Sequence, residues 1–553
     1  MAKKLIKYDV DVSEKILNGV RKASKIVGET LGPLGNNVIL GCNGTTKITK
    51  DGITVLRNVA FEDPHENVAA TLLREASDKT NSQSGDGTTG TCILAESIYV
   101  NGLKYTIAGA NKTKLRTGIL NAAKLIEEAI KKIAKPIHTR EEIKQVAKIS
   151  SNHSEEIAEV LADTFDKIGE NGVIKVEQGN TSNIESKIVE GMQFANGYIS
   201  PFFATNDKME ADLDSPFILI LDQKVSNIND IVTPLKELSQ LGKPILIIAE
   251  DVEGDALSTM VLNRMRGLAI CAVRAPSYGQ NRKNMLHDIA ILTGGKVISE
   301  DTGIIPDMAT VDSGIIGSAK RVIVTRDTTT IIGGNGAAED IQSRVEQLKA
   351  QIAGSEDEFE VRKMKERLAK LDGGIGIISV GGRTESEMRE KKDLVDDAFN
   401  ACKCAVKDGI VPGGGVTLLL LSRTISEYLN ENGDNMDQDE FLGWKIVRDS
   451  LEAPIHRILD NADEKSELII AKIMDANNNN TNTMVNVIGY DVLTKSYENM
   501  IEAGIVDPAA VVISEIKNSS SIAGLLLTTS AAIVDEPEEK KDVDVNQLAG
   551  LGM

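Results

Sequence analysis

The chain has 553 residues, of which 41% are hydrophobic and 26% charged, as is typical of a soluble globular protein with two or three domains. The net charge of −20 argues against binding to nucleic acid or an anionic membrane, and an aromatic content of 3% leaves few side chains to stack on bases. The five scattered cysteines lack zinc spacing, so we expect reduced thiols. The sequence shows no signal peptide and no apolar run near the roughly 20 residues that span a bilayer, and it therefore predicts a cytoplasmic protein.

Helical periodicity characterises both ends of the chain. From about residue 13 to 135, and again after about residue 385, apolar residues recur at three- and four-residue steps. Between about 190 and 375, short apolar runs such as residues 217–222 and 244–251 end in a charged or turn residue, and amphipathic helical segments lie between several of them. This alternation predicts an α/β domain whose buried strands are largely parallel.

The economical interpretation is a multidomain, mainly α-helical protein with an inserted α/β domain. The two helical regions would form one domain, and the segments at each change of pattern would be paired connectors. The charged end of the chain predicts an exposed, flexible tail. The predicted parts are residues 1–133 and 409–535 for the helical domain, 134–189 and 376–408 for the connectors, 190–375 for the inserted domain and 536–553 for the tail.

The segment SGDGTTGT, residues 84–91, has the components of a phosphate site, although the Walker A pattern is absent. Gly85 and Gly87 permit consecutive N–H groups to point the same way, and the following helix would direct its positive end at the same ligand. Asp86 would repel a bare phosphate and therefore suggests a divalent cation between them. A helix-capping turn without a ligand is the alternative. The available hydroxyl donors belong to Thr88, Thr89 and Thr91.

Three further stretches have a similar character. TLGPLGNN at 30–37 is a Gly/Pro turn, TKDG at 49–52 offers a lysine and an aspartate beside a glycine, and VPGGG at 411–415 would let a backbone approach a nucleotide closely. Each also has a simpler explanation: a helix C-cap, a hairpin turn and a flexible linker, respectively. Composition alone does not show whether the four stretches meet in space.

These stretches belong to a longer ordered series, and through it the chain resembles the group I chaperonins, the GroEL type, from about residue 5 to 535. The series is TLGP, TKDG, SGDGTT, EGMQF, GKPILIIAEDVEG, DTTTII, LAKLDGG, EMREKK, GGG and GIVDP. The resemblance implies a helical equatorial domain in two halves, a hinged intermediate domain made of the two connectors, and an α/β apical domain. It also implies an ATPase that binds non-native polypeptides on apolar apical grooves, encapsulates them and releases them for folding.

The same resemblance implies a site for ATP and Mg²⁺, with K⁺ as an additional cation. Asp86 is the implied Mg²⁺ ligand, while Asp51 and Lys50 are implied to face the phosphates, and Asp397 to position or activate the attacking water. Because Asp397 lies on a connector, hydrolysis would require that connector to swing toward the equatorial loops. Without the resemblance, Asp397 would be interpreted as a solvated carboxylate on a helix. The other implied nucleotide-site residues are Thr30, Leu31, Gly32, Pro33, Gly87, Thr88, Thr89, Gly90, Thr91, Gly414 and Asp507.

Two apolar stripes, within 228–238 and 257–265, are the candidate polypeptide site. Helical stripes of this kind commonly pack on their own sheet, which is the alternative. By resemblance, part of each stripe is exposed instead, in a groove that would also receive a lid-forming co-chaperonin, because non-directional apolar contact suits clients without a common sequence. The implied polypeptide-binding residues are Tyr198, Phe202, Phe203, Val232, Leu235, Leu257, Val261 and Leu262.

The sequence departs from the family pattern inside the implied nucleotide site. Gly90 stands where the pattern has a third threonine, which removes one hydroxyl, and residues 491–493 replace Asn-Ala-Ala at the base pocket. Two charge pairs that hold the resting state in the family also lack one partner each, since Asn196 and Ser82 replace charged residues. Their expected partners are Glu385 and Arg326. We therefore expect looser gating and weaker positive cooperativity in ATP hydrolysis.

The implied assembly is a homo-oligomer, with seven-membered rings. At the ring–ring contact, His456 and Lys465 replace an Arg–Glu pair, and two groups that can both be cationic weaken that contact, so single and double rings both stay open. A passive holdase ring with weak ATPase is the alternative function. A small-molecule phosphotransferase is disfavoured by the missing Walker A pattern and the inserted apolar domain.

Overall fold

The computed structural model describes residues 4–42, 45–151, 153–169, 173–179, 183–206, 208–310, 313–355, 357–372, 374–478 and 486–536. These residues fall into two compact units, one drawn from segments 1–162 and 389–553 and the other from segment 163–388. We call them the helical unit and the α/β unit. The predicted flexible tail lies, from residue 537 onward, outside the described residues.

The elements follow one another along the chain in three groups. The first group is β1 (Lys4–Tyr8), α1 (Asp9–Gly28), β2 (Val38–Cys42), β3 (Thr45–Thr49), α2 (Gly52–Arg57), α3 (Pro64–Ser84), α4 (Thr88–Ile107), α5 (Lys112–Ile133), α6 (Arg140–Ser150) and α7 (Glu155–Ile168). The second group is β4 (Val173–Gln178), β5 (Ile184–Val189), β6 (Gly191–Ala195), β7 (Ala211–Asp214), β8 (Phe217–Ile220), β9 (Lys224–Val225), α8 (Val232–Gln240), β10 (Ile245–Ala249), β11 (Asp251–Val252), α9 (Gly254–Met265), β12 (Ile270–Arg274), α10 (Gly279–Thr293), β13 (Gly317–Val324), β14 (Thr328–Gly334), α11 (Ala338–Gly354), α12 (Glu358–Asp372) and β15 (Ile375–Val380). The third group is α13 (Glu385–Asp408), β16 (Ile410–Pro412), α14 (Val416–Asn432), α15 (Gln438–Ser450), α16 (Ala453–Asn461), α17 (Ser466–Ala476), β17 (Ile488–Asp491), β18 (Ser496–Asn499), β19 (Val506–Pro508), α18 (Ala509–Leu527) and β20 (Ala531–Asp535).

The two ends of the chain share one core in the helical unit. Helices α1, α3, α4 and α5 pack with α14, α15 and α18 around a single cluster of buried side chains. Strand β1 pairs antiparallel with β20, which places Leu5 opposite Val534, and β16 pairs antiparallel with β19. The helices have ordinary sequence causes: the Asp63 side chain accepts hydrogen bonds from the first turn of α3, and Asn111 does the same for α5.

Helix α18 lies at the centre of this core. By length and composition it is apolar enough to cross a membrane, but 61% of its most apolar window is buried within the protein. It packs against α3, α4 and α5 and also carries Glu515 and Lys517. These contacts are those of a core helix of a helical domain.

The α/β unit contains a mixed sheet in the order β12-β10-β8-β13-β14-β6, with β7 also paired to β13. Strands β8, β10 and β12 run parallel, as the short apolar runs predicted, whereas β13, β14 and β6 are antiparallel. The expectation of a largely parallel sheet is therefore wrong, because four of its seven strands, β6, β7, β13 and β14, make only antiparallel pairs. The cause is the tight turn at 325–327, where the Thr325 N–H donates to the Thr328 carbonyl and joins β13 directly to β14.

A buried ion cluster joins three helices of the α/β unit. The Asp288 side chain on α10 is completely buried and accepts hydrogen bonds from Arg344 Nε on α11 at 2.9 Å and from Arg367 Nε on α12 at 2.6 Å. Arg367 is itself only 6% exposed. The two guanidinium groups satisfy the carboxylate and fix α11 and α12 on α10.

Candidate functional site

The four glycine-rich stretches converge in the helical unit. They line one cavity of about 640 Å³, together with parts of α6, α13, α16 and α18 and with the segment around β17. The wall includes residues from all four stretches: Thr30 to Pro33, Thr49 to Gly52, Asp86 to Gly90, and Pro412 with Gly414 and Gly415. The cavity is large enough for a nucleotide.

The loop between α3 and α4 places a helix N-terminus at this cavity. Gly85 and Gly87 adopt φ values of 74° and 87°, which favour glycine, and α4 begins at Thr88 without a side-chain cap. The positive end of α4 and the Thr88 and Thr89 side chains therefore lie at the cavity wall. A Cβ at Gly52 would lie 2.0 Å from the Thr89 Oγ1, so the second stretch approaches the loop closely only because it has a glycine there.

Thr91 does not belong to this wall, and its assignment to the nucleotide site is wrong. Its hydroxyl donates to the Gly87 carbonyl at 2.9 Å and lies 2.9 Å from the Thr80 hydroxyl of α3. The side chain is completely buried between the two helices. The first turn of α4 thus turns residues 88–90 toward the cavity and residue 91 away from it.

Lys50 and Asp51 lie at the cavity but already have protein partners. The Lys50 Nζ donates to the Pro33 carbonyl at 3.0 Å and so joins two of the stretches, and burial lowers the pKa of Lys50. Asp51 caps α2 by accepting hydrogen bonds from the Ile53 and Thr54 N–H groups at 3.2 and 3.1 Å. The carboxylate is thereby held in a fixed orientation at the cavity wall.

Helix α13 packs on the phosphate loop and brings Asp397 to the cavity. A Cβ at Gly85 would lie 2.0 Å from the Asn400 Cβ, and the Cys404 Sγ donates to the Ser84 carbonyl at 3.5 Å. Asp397 lines the cavity on the same helix. The structure therefore places this carboxylate beside the loop rather than on a solvated helix surface.

Several carboxylates line the cavity, among them Asp86, Asp397 and Asp507. Burial and the neighbouring carboxylates Asp86 and Asp51 raise the pKa of Asp397 well above its usual value. Burial and Asp51 raise the pKa of Asp86, and burial and Asp86 raise the pKa of Asp507 to about 7. In the described parts of the chain, none of the three forms an ion pair with a lysine or arginine. A cation bound at the cavity would relieve their mutual repulsion.

The donor set fits Mg²⁺ bound together with a nucleotide. Among the described residues, no group of three or more His, Cys, Asp or Glu side chains could hold a metal ion alone. Mg²⁺ characteristically takes one or two carboxylates and completes its shell with phosphate oxygens and water. Asp86, next to the uncapped end of α4, matches that mode of binding.

The opposite side of the cavity is formed by the third and fourth stretches. Because β16 pairs with β19, Gly414, with φ of 64°, comes next to Asp507, and the Asp507 carboxylate accepts a hydrogen bond from the Gly414 N–H. Residues 491–493, which depart from the family pattern, also line this side. The Asp491 side chain there accepts a hydrogen bond from the Leu493 N–H at 2.8 Å.

Sequence reasoning missed several lining residues. Lys148 lies on α6 and His153 follows that helix. Asp393 precedes Asp397 by one turn of α13, and Glu515 lies on α18. The available signal for Glu515 was an acidic residue in the largely apolar stretch that follows GIVDP. No comparable signal marks His153, whose pKa is lowered by burial.

The predicted polypeptide-binding residues differ in their exposure within the α/β unit. Phe202, Leu262 and Val232 are exposed, by 65%, 54% and 42% of their surface. Phe203 is completely buried, so its assignment to a binding surface is wrong: the short 3₁₀ turn Pro201–Phe203 directs it into the core. The remaining four, which are partly buried against the core, are Tyr198, Leu235, Leu257 and Val261.

The residues that replace the expected charge pairs have local partners. The Asn196 side chain donates to the Ala275 carbonyl at 2.8 Å, and the Ser82 hydroxyl donates to the Lys79 carbonyl at 2.8 Å in its own helix. His456 lies 3.8 Å from Glu452, which raises the pKa of His456. Weaker cooperativity and a weaker ring–ring contact stay predictions.

Comparison with known proteins identifies the family and the fold. Residues 23–537 match the TCP-1/cpn60 chaperonin family, and the chain therefore belongs to that family. Its fold is similar to the chaperonin gp146 from the bacteriophage EL 2 (Pseudomonas aeruginosa), crystallised in the presence of ATP-BeFx. Crystal form II of that protein has 22% identity and a TM-score of 0.71, over 96% of this chain and 100% of that one. Crystal form I has 22% identity and a TM-score of 0.61, over 96% and 99%.

Membership and fold identify a divergent chaperonin, with the helical regions and the sheet-containing insertion expected of that fold. Chaperonins bind unfolded polypeptides, form ring oligomers and use ATP with Mg²⁺. A chaperone function thus follows from the family.

Proposed function

We propose that the chain is the subunit of an ATP-hydrolysing ring chaperonin of the group I type. The observation that carries the proposal is the position of Asp397, on α13, beside a glycine-rich loop whose helix end is uncapped. Non-native polypeptides bind to the exposed apolar side chains of the α/β unit and are encapsulated and released as ATP is bound and hydrolysed.

Different residues of the cavity have different roles in the proposed hydrolysis. The nucleotide supplies the phosphoryl group, and Mg²⁺ offsets its charge when bound. Asp86 would hold the cation, while the N-terminus of α4 with Thr88 and Thr89 would bind phosphate oxygens. Lys50 adds positive charge, and Asp51 lies at the same wall. Asp397 orients the attacking water and accepts its proton, a task that suits a carboxyl group whose pKa is raised.

The remaining nucleotide contacts follow from the cavity wall. Residues 30–33 form one side, and K⁺ is the additional cation that the acidic cavity would accept. Asp507 and Gly414 hold the base and ribose side. We retain the three-domain division, in which the two connectors form a hinged intermediate domain between equatorial and apical domains. Movement of the connector that carries Asp397 then couples hydrolysis to apical movement.

Capture uses Phe202, Val232 and Leu262, the predicted polypeptide-binding residues whose apolar side chains are exposed. The same surface would receive a lid co-chaperonin. The subunits assemble as seven-membered rings, single or double, in the cytoplasm, without nucleic-acid or membrane partners.

Steady-state phosphate release with the Asp397→Ala variant tests the proposal. We expect a loss of about 10²- to 10⁴-fold in turnover while nucleotide binding is retained, because only the base is removed. Asp396→Ala is the matched control: Asp396 lies on the same helix but pairs with Lys392 at 2.6 Å and does not line the cavity. Equal turnover in Asp397→Ala and the wild type would refute the assignment.

Refolding and electron microscopy, each with and without ATP, test the chaperonin cycle. Rings whose apical regions move on addition of ATP support encapsulation. The passive holdase is the second candidate, because Gly90 removes a phosphate-site hydroxyl. Capture of non-native protein without turnover, and without any effect of Asp397→Ala, would favour it.

A further inference from the structure

The first turn of α4 is crossed by a side chain from α18. A Cβ at Gly90 would lie 2.1 Å from Glu515 Oε1 and 2.6 Å from its Cδ, and a Cβ at Gly87 would lie 2.9 Å from its Cγ. The Glu515 carboxyl group therefore occupies the space into which a side chain at residue 90 would extend. This is the position where the family pattern has its third threonine.

Glu515 faces the cavity and lacks a protein partner there. It lines the cavity wall, and among the described residues no group donates a hydrogen bond to its carboxyl oxygens. Burial and the neighbouring carboxylates Asp507 and Asp86 raise the pKa of Glu515 well above its usual value, so a cation in the cavity favours the ionised form of Glu515. An apolar side chain could fill the space over Gly90 without the cost of desolvating a carboxyl group. Space filling alone therefore does not explain a glutamate here.

The chemistry of a carboxylate differs from that of the threonine hydroxyl it replaces. A hydroxyl group donates a hydrogen bond to a phosphate oxygen with or without a metal ion. An ionised carboxylate only accepts, so it repels a phosphate directly and attracts it only through a cation. A phosphate site with this substitution consequently distinguishes metal-bound from metal-free nucleotide.

We propose that Glu515 replaces the third threonine of the phosphate loop as a nucleotide-site residue, and that it makes nucleotide binding depend more steeply on the divalent cation. The inference rests on the proposed ATPase function and adds a specificity-determining residue to the same site. Glu515 selects the metal-bound form of the nucleotide, and Gly90 is the glycine that leaves room for it.

Glu515→Gln tests the charge with little change in volume. ADP binding is measured by titration calorimetry with excess Mg²⁺ and again with EDTA. We expect metal-free ADP to bind more tightly and Mg²⁺–ADP more weakly than to the wild type, so that the ratio of the two dissociation constants falls by about tenfold or more. A purely structural role for Glu515 would move both constants in the same direction.

The control is Glu431→Gln, an exposed residue of α14 that does not line the cavity. It should leave the ratio unchanged. If Glu515→Gln also leaves the ratio within twofold of the wild type, the proposal is overturned. If the wild type binds no ADP under either condition, the proposed ATPase function fails instead, so the two failures are distinguishable.

A side-chain exchange tests the steric half of the proposal. Gly90→Thr alone forces a Cβ against the Glu515 carboxyl group and should weaken Mg²⁺–ADP binding by about tenfold or more. The double variant Gly90→Thr/Glu515→Ala removes that contact and supplies the third hydroxyl. It should bind more tightly than Gly90→Thr and show little preference for the metal-bound form.

Thermal unfolding of each variant verifies that it is folded before binding is compared. Gly90 lies in the regular turn of α4, outside the left-handed conformations of Gly85 and Gly87, so a threonine backbone fits there. Additive effects of the two substitutions in folded protein would overturn the pairing of Gly90 with Glu515.

Discussion

Buried carboxylates occur in both units of the molecule, but their surroundings differ. In the α/β unit, Asp288 is surrounded by two arginines that donate three hydrogen bonds to it. In the helical unit, Asp86, Asp397 and Asp507 lie at one cavity and, among the described residues, none of them is paired with a lysine or arginine. A carboxylate that the protein neutralises itself holds helices together, whereas carboxylates left without cations mark a place for one from outside.

ATP hydrolysis should be more sensitive to loss of Asp86 than to loss of a purely structural ion pair. Asp86→Ala removes the proposed cation ligand, and we expect steady-state ATP hydrolysis to fall by about a thousandfold or more, because the charge of the transferred phosphoryl group is no longer offset. Asp78→Ala on α3 is the matched control: it loses only a half-exposed ion pair with Arg57. Activity of Asp86→Ala close to that of the wild type would break the contrast between the two units.

The arginine-bound carboxylate should instead determine stability. Asp288→Ala leaves Arg367, which is 6% exposed, without its partner, and we expect unfolding of the α/β unit to become easier by about 3–5 kcal/mol. Denaturant unfolding monitored by circular dichroism measures the change.

Asp372→Ala in the same unit provides the comparison, because Asp372 and Lys349 are both about half exposed, 3.3 Å apart. That pair should contribute at most about 1 kcal/mol. Similar losses for Asp288→Ala and Asp372→Ala would show that burial of the cluster is unimportant.

The pH dependence of stability should separate the two kinds of carboxylate. The pKa of Asp507 is raised from 3.8 to about 7, so the folded state retains a proton that the unfolded state loses between these values. Stability of the nucleotide-free protein should therefore fall as the pH rises from about 4 to 7. Carboxylates with lowered pKa values, such as Glu142 at about 2, instead contribute stability that is fully present above pH 4.5 and is lost as the pH falls toward 2.

Thermal unfolding in EDTA between pH 5 and 8 measures this slope. Asp507→Asn should flatten this slope. In parallel samples without EDTA, Mg²⁺–ADP should raise the melting temperature most near pH 8, where the cavity carries most negative charge. If the melting temperature of Asp507→Asn changes as steeply with pH as that of the wild type, groups other than Asp507 cause the slope.

The sequence predicts those features of the fold and of the site that depend on local periodicity and on the order of motifs. It does not predict those that depend on packing between distant segments. The helical ends, the insertion and the four glycine-rich stretches follow from periodicity and motif order. Thr91 could not be assigned, since the turn of α4 that directs it to Thr80 depends on where the helix begins. Phe203 differs from Phe202 by one position in a 3₁₀ turn, which hydrophobicity does not distinguish. Glu515 approaches Gly90 only through packing of α18 on α4, a contact between distant segments.

The smallest expected effect concerns client binding by exposed apolar side chains of the α/β unit. Here too, an exposed residue and a buried residue can be compared. Leu262 and Phe203 were predicted for the same groove, yet Leu262 is 54% exposed and Phe203 is completely buried. Leu262→Ser should lower the affinity for a non-native client protein by a few fold, with little change in melting temperature, because it removes apolar surface available for contact. Phe203→Ser should instead cost about 3–5 kcal/mol of stability. Light scattering during client aggregation measures capture, and an unchanged capacity in Leu262→Ser would show that clients bind elsewhere.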